Sequence, residues 1–217
     1  MNRNDGDERA AAQRDDPTSI RGVVFDLDGT LVDSALDFDR MRAEMGLAPG
    51  LPILEALATL PEAEAARCRD ILQRHEHAGG RRAIVIPGVA DLLAALDRLQ
   101  VRRAVWTRNS RAVAVATLER LGLRFDRIVA REDAPAKPDP TAIWGICDAW
   151  RLDRRNILMV GDYRFDLEAG RRAGVRTALY TAGREPHECE GFELADYYLR
   201  CFRDTAASCR ALRIDGC

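Results

Sequence analysis

Residues 23–34 of this 217-residue chain read VVFDLDGTLVDS. Valine and phenylalanine favour a strand that is covered on both faces, and the polarity changes abruptly at Asp26, where we expect this strand to have ended. Ligands of open α/β sheets bind beyond the carboxyl ends of the strands, where Asp26 and Asp28 would point to the same side. Gly29 lets the backbone approach a ligand closely, and Thr30 adds a hydroxyl near a helix start. An ordinary strand followed by an Asp-Gly turn is the simpler alternative.

The composition is that of a globular protein without a strongly charged surface. The 33 basic residues nearly balance the 35 acidic ones, which gives no electrostatic basis for binding nucleic acid or an anionic membrane. Apolar residues make up 47% of the chain, enough for one core and a small accessory lobe, yet no apolar stretch has the length needed to span a bilayer. We therefore expect a soluble protein, and a monomer because the helical patterns contain no long heptad repeat.

The first residues and the cysteines bear on localisation. Residues 1–19 carry five acids and three arginines without apolar periodicity, a pattern typical of a disordered leader and not of a secretory signal or a transit peptide. The six cysteines show no CxxC spacing, which favours reduced thiols. We expect a cytoplasmic protein.

Residues 35–82 differ from the rest of the chain in their predicted structure. Three helical patterns occupy this stretch, the last of which begins at Pro61 and ends before Gly79 and Gly80. No strand pattern interrupts them. We expect a helical insertion that covers the end of the first strand as a lid.

Strands and helices alternate after the helical insertion. The predicted strands lie at 101–106, 127–130, 156–160, 175–180 and 197–199. This order predicts a mostly parallel sheet with helices on both faces, a Rossmann-like three-layer α/β/α sandwich. Residues 20–34 and 83–217 are therefore assigned to an α/β core, and residues 35–82 to a small helical cap inserted after the first strand.

Polar residues follow several of these strands. The Thr107 hydroxyl and the neighbouring backbone N–H groups would hold a phosphate oxygen at a helix N-terminus. Lys137 lies in the proline-rich loop APAKPDP, which limits where its ammonium can point. Asp162 follows the strand at 156–160, and Asp166 lies about one helical turn further on. The simpler alternatives are a helix cap at Thr107, a solvated lysine, and a turn with a helix cap at the two aspartates.

Carboxylates at the ends of two strands favour a magnesium site. Mg²⁺ prefers oxygen ligands, keeps several waters, and is usually bound by one or two carboxylates together with a substrate phosphate. Asp26 and Asp162 would supply those carboxylates.

Four stretches resemble, in this order, the four motifs of the haloacid dehalogenase-like (HAD) superfamily of phosphatases and phosphotransferases. They are residues 23–34, the residues around Thr107, the loop APAKPDP around Lys137, and residues 161–166. The position of the helical insertion is similar to that in subfamily I, the phosphoglycolate phosphatase-like members, although the cap is short. The resemblance implies a sheet with the strand order 5-4-1-2-3. It also implies that Asp26 is the nucleophile that takes the phosphoryl group, that Asp28 is the general acid and base, and that Lys137 neutralises charge beside the nucleophile.

The same resemblance implies the ligand-binding residues. Mg²⁺ would be bound by Asp162, the Asp26 carboxylate and the Asp28 carbonyl, while Asp166 would support the metal or the lysine. Thr107 would bind the phosphoryl oxygens. The substrate-binding candidates are Thr107, Arg108, Asn109, Gly29, Thr30 and Arg42. One departure concerns Arg108, because the family often has Asn or Ser directly after the threonine.

We expect a Mg²⁺-dependent phosphomonoesterase that acts on a small phosphorylated metabolite through an aspartyl-phosphate. A sugar phosphomutase similar to β-phosphoglucomutase is the nearest alternative, but it needs a cap that excludes water, and this insertion is shorter than the four-helix caps of such enzymes. A haloacid dehalogenase would have no use for Asp28. A catalytically silent binding module would be expected to lack the nucleophile, the lysine or a metal ligand, and all of them are present.

Substrate choice is expected to come from the helical insertion, because the core residues would contact only phosphate and metal. Arg42 follows Phe38 by four residues and can border the apolar stripe of its helix. His75 and Glu76 are the other polar candidates. A solvated position on the helix surface is the alternative for each of them.

Overall fold

The computed structural model describes residues 19–216, so the predicted leader lies outside the described residues apart from Ser19. The strands are β1 (Gly22–Phe25), β2 (Val32–Asp33), β3 (Ile84–Val85), β4 (Arg102–Trp106), β5 (Arg127–Val129), β6 (Ile157–Gly161), β7 (Arg176–Tyr180) and β8 (Tyr197–Leu199). The α-helices are α1 (Phe38–Met45), α2 (Ile53–Leu57), α3 (Glu62–Arg82), α4 (Val89–Arg98), α5 (Arg111–Arg120), α6 (Thr141–Trp150), α7 (Arg164–Ala173) and α8 (Thr205–Ala211).

Six strands form one parallel sheet in the order β5-β4-β1-β6-β7-β8. The first five strands of this sheet along the chain are β1, β4, β5, β6 and β7. Numbered 1 to 5, they lie in the order 3-2-1-4-5, which is the predicted order 5-4-1-2-3 read from the other side of the sheet. Strand β8 adds a sixth strand beyond β7. Since β1 and β6 are neighbours, Asp26 and Asp162 follow adjacent strands at the same edge of the sheet.

Helices cover both faces of this sheet. All four residues of β1 are buried, and successive side chains point to opposite faces. Val23 and Phe25 belong to an apolar cluster that includes Leu92 of α4, whereas Val24 belongs to a second cluster with Ile143 of α6. A strand covered on both faces has to be apolar at every position, which is the pattern seen before Asp26. The predicted Rossmann-like α/β fold is confirmed.

Helices α1, α2 and α3 form the helical insertion and have an apolar cluster of their own. Met41 and Met45 of α1 pack with Ile53 of α2 and with Cys68 and Leu72 of α3. At the two ends of the insertion, β2 and β3 pair as an antiparallel ribbon. The sequence patterns did not predict this ribbon, because two residues are too few to show an alternating pattern. The division of the chain into a core and a cap domain stays a prediction.

The helix that closes the insertion is longer than predicted. Gly79 and Gly80 do not end it, since α3 continues to Arg82. A Cβ on Gly79 would lie 2.6 Å from Leu36 Cδ2, and a Cβ on Gly80 would lie 2.6 Å from the Thr117 hydroxyl. The two glycines therefore permit close packing of α3 against its neighbours, and that packing outweighs their low helix propensity.

Two further expectations concern the cysteines and membranes. Cys68, Cys147, Cys189 and Cys201 are free thiols, whereas Cys209 is disulfide-bonded. The prediction of reduced thiols is therefore wrong at Cys209, because residue spacing does not report which cysteines the fold brings together. Within residues 19–216, no helix has the length and apolarity needed to cross a bilayer.

Candidate active site

The candidate site lies where β1 and β6 end side by side. The backbone N–H of Asp26 donates to the Val160 carbonyl at 2.9 Å, which fixes the first residue after β1 against β6. Asp26, Asp162 and Asp166 each offer a carboxylate oxygen, and these oxygens lie within 4.8 Å of one another. Asp26 follows β1, Asp162 lies in the loop after β6, and Asp166 lies in the first turn of α7. The fold thus brings together residues that lie up to 140 positions apart in the chain.

The ammonium of Lys137 lies among these carboxylates. Lys137 is 1% exposed, and its Nζ donates to Asp166 Oδ1 at 2.7 Å and to Asp26 Oδ1. The Trp106 ring centroid is 5.2 Å from the same atom. Burial disfavours the charged ammonium, but Asp166 and Asp26 outweigh it and raise the pKa of Lys137, which is therefore protonated at neutral pH.

The composition carries a signal for this position. Lys137 is the only lysine among the 33 basic residues of the chain, all the others being arginine. An ammonium is a compact charge on a flexible stem, whereas a guanidinium is a wide planar fork, so the two are not interchangeable between two close carboxylates. A single lysine in an arginine-rich chain therefore marks a site that needs the smaller cation.

Burial dominates the electrostatics of the aspartates. It raises the pKa of Asp26 well above its ordinary value, against the lowering effect of Lys137. Burial and the Asp166 carboxylate raise the pKa of Asp162 to about 7, although a hydrogen bond from Thr30 acts in the other direction. Three carboxylates with one ammonium carry excess negative charge, which a divalent cation would offset.

Gly29 and Thr30 lie against Asp162. The Thr30 hydroxyl donates to Asp162 Oδ1 at 2.9 Å, and Thr30 is fully buried. Gly29 has a φ of +84°, and a Cβ there would collide with the Asp162 carboxylate. The sequence assigned both residues to substrate binding, but their contacts orient Asp162, and neither lines the adjoining cavity.

Asp28 has a separate set of partners. The Ser34 hydroxyl donates to Asp28 Oδ1, and the Asn109 side-chain amide donates to Oδ2 at 2.7 Å. Burial raises the pKa of Asp28, although these two hydrogen bonds act in the opposite direction. Asp26 and Asp28 therefore occupy different environments two residues apart. Ser34 ends the quoted motif, but no role for it followed from the sequence.

The loop after β4 is held in place by its own side chains. Thr107 Oγ1 accepts a hydrogen bond from the Asn109 N–H at 3.1 Å, and Ser110 Oγ caps α5 by accepting from the Val113 N–H at 3.4 Å. Thr107 is 2% exposed. Thr107, Arg108 and Asn109 all line the adjoining cavity.

Arg108 connects this loop to the helical insertion. Its Nη1 donates to the Lys137 carbonyl at 3.0 Å, and its Nη2 pairs with Glu55 Oε2 of α2 at 2.5 Å. The guanidinium carbon lies 5.0 Å from the centroid of the Phe165 ring. The residue that separates Thr107 from Asn109 therefore spans the cleft between the α/β core and the helical insertion.

Glu76 of α3 holds the same loop from the other side. It is 3% exposed, pairs with Arg131 Nη1 at 2.6 Å and accepts a hydrogen bond from the Ser110 N–H at 3.4 Å. Burial raises the pKa of Glu76, and the pairing with Arg131 acts against it. Arg131 was missed by the sequence patterns, because nothing in its spacing distinguishes it from the other arginines. The other polar candidate of α3, His75, pairs with Glu44 instead and does not line the cavity.

A cavity of about 430 Å³ lies between the α/β core and the helical insertion, a volume that suits a small molecule. Its polar side is lined by Asp26, Asp28, Thr107, Asn109, Lys137, Asp162 and Asp166. The helical insertion supplies apolar lining from Phe38, Met41, Ile53, Leu54 and Leu72, together with the guanidinium-bearing side chain of Arg42. The cavity is therefore polar at the strand ends and mostly apolar opposite them.

The three-carboxylate cluster fits a magnesium ion in its donor chemistry. Its ligand atoms are all carboxylate oxygens, which Mg²⁺ and similar hard cations prefer, and no sulfur or imidazole donor belongs to the cluster. Burial raises the pKa values of Asp26 and Asp162, and a bound cation would favour their charged forms.

Comparison with known proteins identifies the family of this chain. The sequence profile of the haloacid dehalogenase-like hydrolase family matches residues 42–180. A phosphoglycolate phosphatase of Cupriavidus necator is 34% identical over 187 residues, which cover 74% of this chain and 80% of the relative. An N-acetylmuramic acid 6-phosphate phosphatase of Pseudomonas putida is 31% identical over 188 residues, covering 76% and 84%. A haloacid dehalogenase-like hydrolase structure from Streptococcus pneumoniae superposes with a TM-score of 0.70 at 24% identity, covering 88% of this chain and 98% of the other.

The parallel α/β sheet and the phosphatase relatives together identify the chain as a hydrolase of phosphoric monoesters. The chain belongs to the haloacid dehalogenase-like hydrolase family. The predicted similarity to the phosphoglycolate phosphatase-like members is confirmed by these relatives.

Proposed function

We propose that the protein is a Mg²⁺-dependent phosphomonoesterase that hydrolyses a small phosphorylated metabolite through an aspartyl-phosphate on Asp26. The observation that carries the proposal is the pairing of Lys137 with Asp26 inside a carboxylate cluster that borders a cavity of small-molecule size. The two bacterial relatives are named for phosphate esters of organic acids, which supports a small organic phosphate as the substrate.

In the first half-reaction, a carboxylate oxygen of Asp26 attacks the phosphorus atom while the bond to the leaving oxygen breaks. Protonated Asp28 gives its proton to that oxygen, so an alcohol is released and Asp28 becomes a carboxylate. Lys137 keeps its proton and screens the negative charge between the nucleophile and the phosphoryl group. Mg²⁺ bound by Asp26, Asp162 and Asp166 would supply further charge neutralisation at the phosphoryl oxygens.

In the second half-reaction, the Asp28 carboxylate accepts a proton from water as the water oxygen bonds to phosphorus. The bond between phosphorus and Asp26 breaks, inorganic phosphate is released, and both aspartates return to their starting states. The raised pKa of Asp28, caused first by burial, suits a group that has to hold a proton in one step and lose it in the other.

A panel of phosphorylated metabolites assayed for phosphate release, with Mg²⁺ and with EDTA, tests the proposal. We expect release that depends on Mg²⁺ and is abolished in Asp26→Asn, while the exposed Asp70→Asn variant on α3 behaves as wild type. Circular dichroism of Asp26→Asn should show a folded protein. Unchanged phosphate release by Asp26→Asn would overturn the mechanism.

The short helical insertion favours hydrolysis over the phosphomutase reaction, since a mutase has to keep water from the aspartyl-phosphate. Release of inorganic phosphate without an isomerised product separates the two activities. We also infer a cytoplasmic monomer, and gel filtration with light scattering tests the oligomeric state.

A further inference from the structure

Arg42 of α1 carries a hydrogen-bond donor that the protein leaves unused. Its side chain is 16% exposed and lines the cavity, and its Nε is buried without a hydrogen-bond partner. Its Nη2 pairs with Asp39 Oδ1 at 2.6 Å, but the Asp39 side chain is 84% exposed. A buried donor without a partner is costly, so a ligand that supplies an acceptor in the cavity would be favoured.

A second guanidinium and a hydroxyl lie in the same region. Arg108, Tyr163 and Glu190 line the same cavity as Arg42. All four residues line the cavity, although they come from α1, the loop after β4, the loop after β6 and the segment after β7.

The acids that face these arginines are exposed to solvent. Glu55, which pairs with Arg108, has a side chain that is 44% exposed, and Asp39, which pairs with Arg42, has one that is 84% exposed. Exposed ion pairs contribute little stability, because water solvates both partners when they separate. An anionic group of a ligand can therefore replace these partners at Arg42 and Arg108 at low cost.

We propose that the preferred substrate carries a second anionic group on its leaving group, either a carboxylate or a second phosphate, and that Arg42, Arg108 and the Tyr163 hydroxyl bind it. This inference rests on the proposed function, because it assumes that the first phosphate binds at Asp26. The apolar side chains of Met41 and Ile53 would cover the carbon skeleton between the two anions. A planar guanidinium suits either anion through paired hydrogen bonds.

Matched substrates test the inference on the wild-type enzyme with Mg²⁺. The pair 3-phosphoglycerate and glycerol 3-phosphate differs by a carboxylate in place of a hydroxymethyl group. The pair propane-1,3-diol bisphosphate and 3-hydroxypropyl phosphate differs by a second phosphate. We expect kcat/KM to be about 10- to 100-fold higher for the member with the second anionic group in at least one pair, mainly through a lower KM. The two pairs distinguish a carboxylate from a phosphate.

Substitutions assign the preference to the arginines. The selectivity ratio is kcat/KM of the ester with the second anionic group divided by kcat/KM of its matched partner. In Arg42→Gln and in Arg108→Gln, this ratio for the preferred pair should fall about 10-fold or more. Arg42→Lys should retain part of this ratio. Arg40→Gln is the matched control, since Arg40 lies on the same helix with a side chain that is 70% exposed, and its ratio should equal that of the wild type.

The outcomes separate this inference from the proposed function. Hydrolysis of every ester without preference for a second anion, or a ratio that survives in Arg42→Gln, would overturn the anion-binding site and leave the phosphatase intact. If no ester is hydrolysed at a rate that depends on Mg²⁺, the proposed phosphatase activity is overturned, and the inference with it. Thermal unfolding of each variant checks that a lost ratio does not reflect a misfolded protein.

Discussion

The side-chain amide of Asn109 donates a hydrogen bond to Asp28 Oδ2 at 2.7 Å, although 81 residues separate them in the chain. The Ser34 hydroxyl donates to the other carboxylate oxygen, so both oxygens of Asp28 are held. Asp28 in turn has to reach the leaving oxygen in the proposed mechanism. Asn109 is therefore expected to act as a positioning residue for the general acid.

Asn109→Ala should impair hydrolysis of alkyl phosphates more than that of p-nitrophenyl phosphate. An alkoxide leaves poorly without a proton, whereas p-nitrophenolate is a good leaving group, and general acid catalysis contributes about 100-fold or more where it is needed. We expect kcat for an alkyl ester to fall at least about 10-fold further than kcat for the aryl ester.

The exposed Gln73→Ala variant on α3 is the control for this comparison and should retain both rates. Equal losses on the two ester classes would indicate that Asn109 supports the loop after β4 and not the acid.

Lys137→Met should destabilise the metal-free protein at pH 8. Removal of the ammonium leaves Asp26 and Asp166 as close, buried carboxylates without their common partner, and loss of one member of a buried ion pair costs about 3–5 kcal/mol. Urea unfolding measures the change in the free energy of unfolding.

The deficit in Lys137→Met should shrink as the pH falls, because burial raises the pKa of Asp26 and its protonation removes the repulsion within the pair. Arg155→Met removes an exposed cation and serves as the control. A free energy of unfolding equal to that of wild type at pH 8 would contradict the electrostatic account of this cluster.

Mg²⁺ should raise the thermal midpoint of the wild-type protein, and EDTA should reverse the rise. Binding to the folded state alone stabilises it by mass action. In Asp162→Asn this response should be lost. The metal-free variant should nevertheless be more stable than the metal-free wild type at pH 8, because burial and Asp166 raise the pKa of Asp162 to about 7 and so disfavour its charge.

Differential scanning fluorimetry with and without Mg²⁺ measures both effects. Asp153→Asn changes an exposed aspartate outside the cluster and should keep the wild-type response. A full Mg²⁺ response in Asp162→Asn would exclude this residue as a ligand.

The stability of the protein should depend on pH through Glu76. Burial raises the pKa of Glu76 in the folded state, so the folded protein binds its proton more tightly than the unfolded chain does. The contribution of this group is fully present below the unfolded pKa of about 4.5 and is lost as the pH rises through the folded value.

The free energy of unfolding of the wild type minus that of Glu76→Gln should therefore decline as the pH rises from about 4 to 8. Glu64→Gln, at an exposed position of the same helix, is the control for the effect of the substitution itself. A difference for Glu76→Gln that does not change with pH would show that Arg131 compensates the buried carboxylate completely.

Much of the fold follows from short-range patterns. Residues that are apolar at every position, as in β1 and β6, have to be covered on both faces, and their alternation with helices leaves few arrangements other than a parallel sheet. The helical insertion was also predicted, but the end of its last helix was not, because the fit of Gly79 and Gly80 against neighbouring elements depends on contacts that are distant in the chain.

Asp26, Asp28 and Asp162 were predicted as site residues from the sequence, since parallel strands end at one edge of a sheet and polar residues that follow apolar strands have few structural reasons to be there. Lys137 was predicted from its proline-rich loop. The tertiary structure alone decided their partners. Hydrogen bonds and ion pairs depend on distances of about 3 Å between side chains, and periodicity carries no information at that scale. The contact of Asn109 with Asp28, the pairing of Arg131 with Glu76 and the unpartnered Nε of Arg42 therefore emerged only from the folded chain.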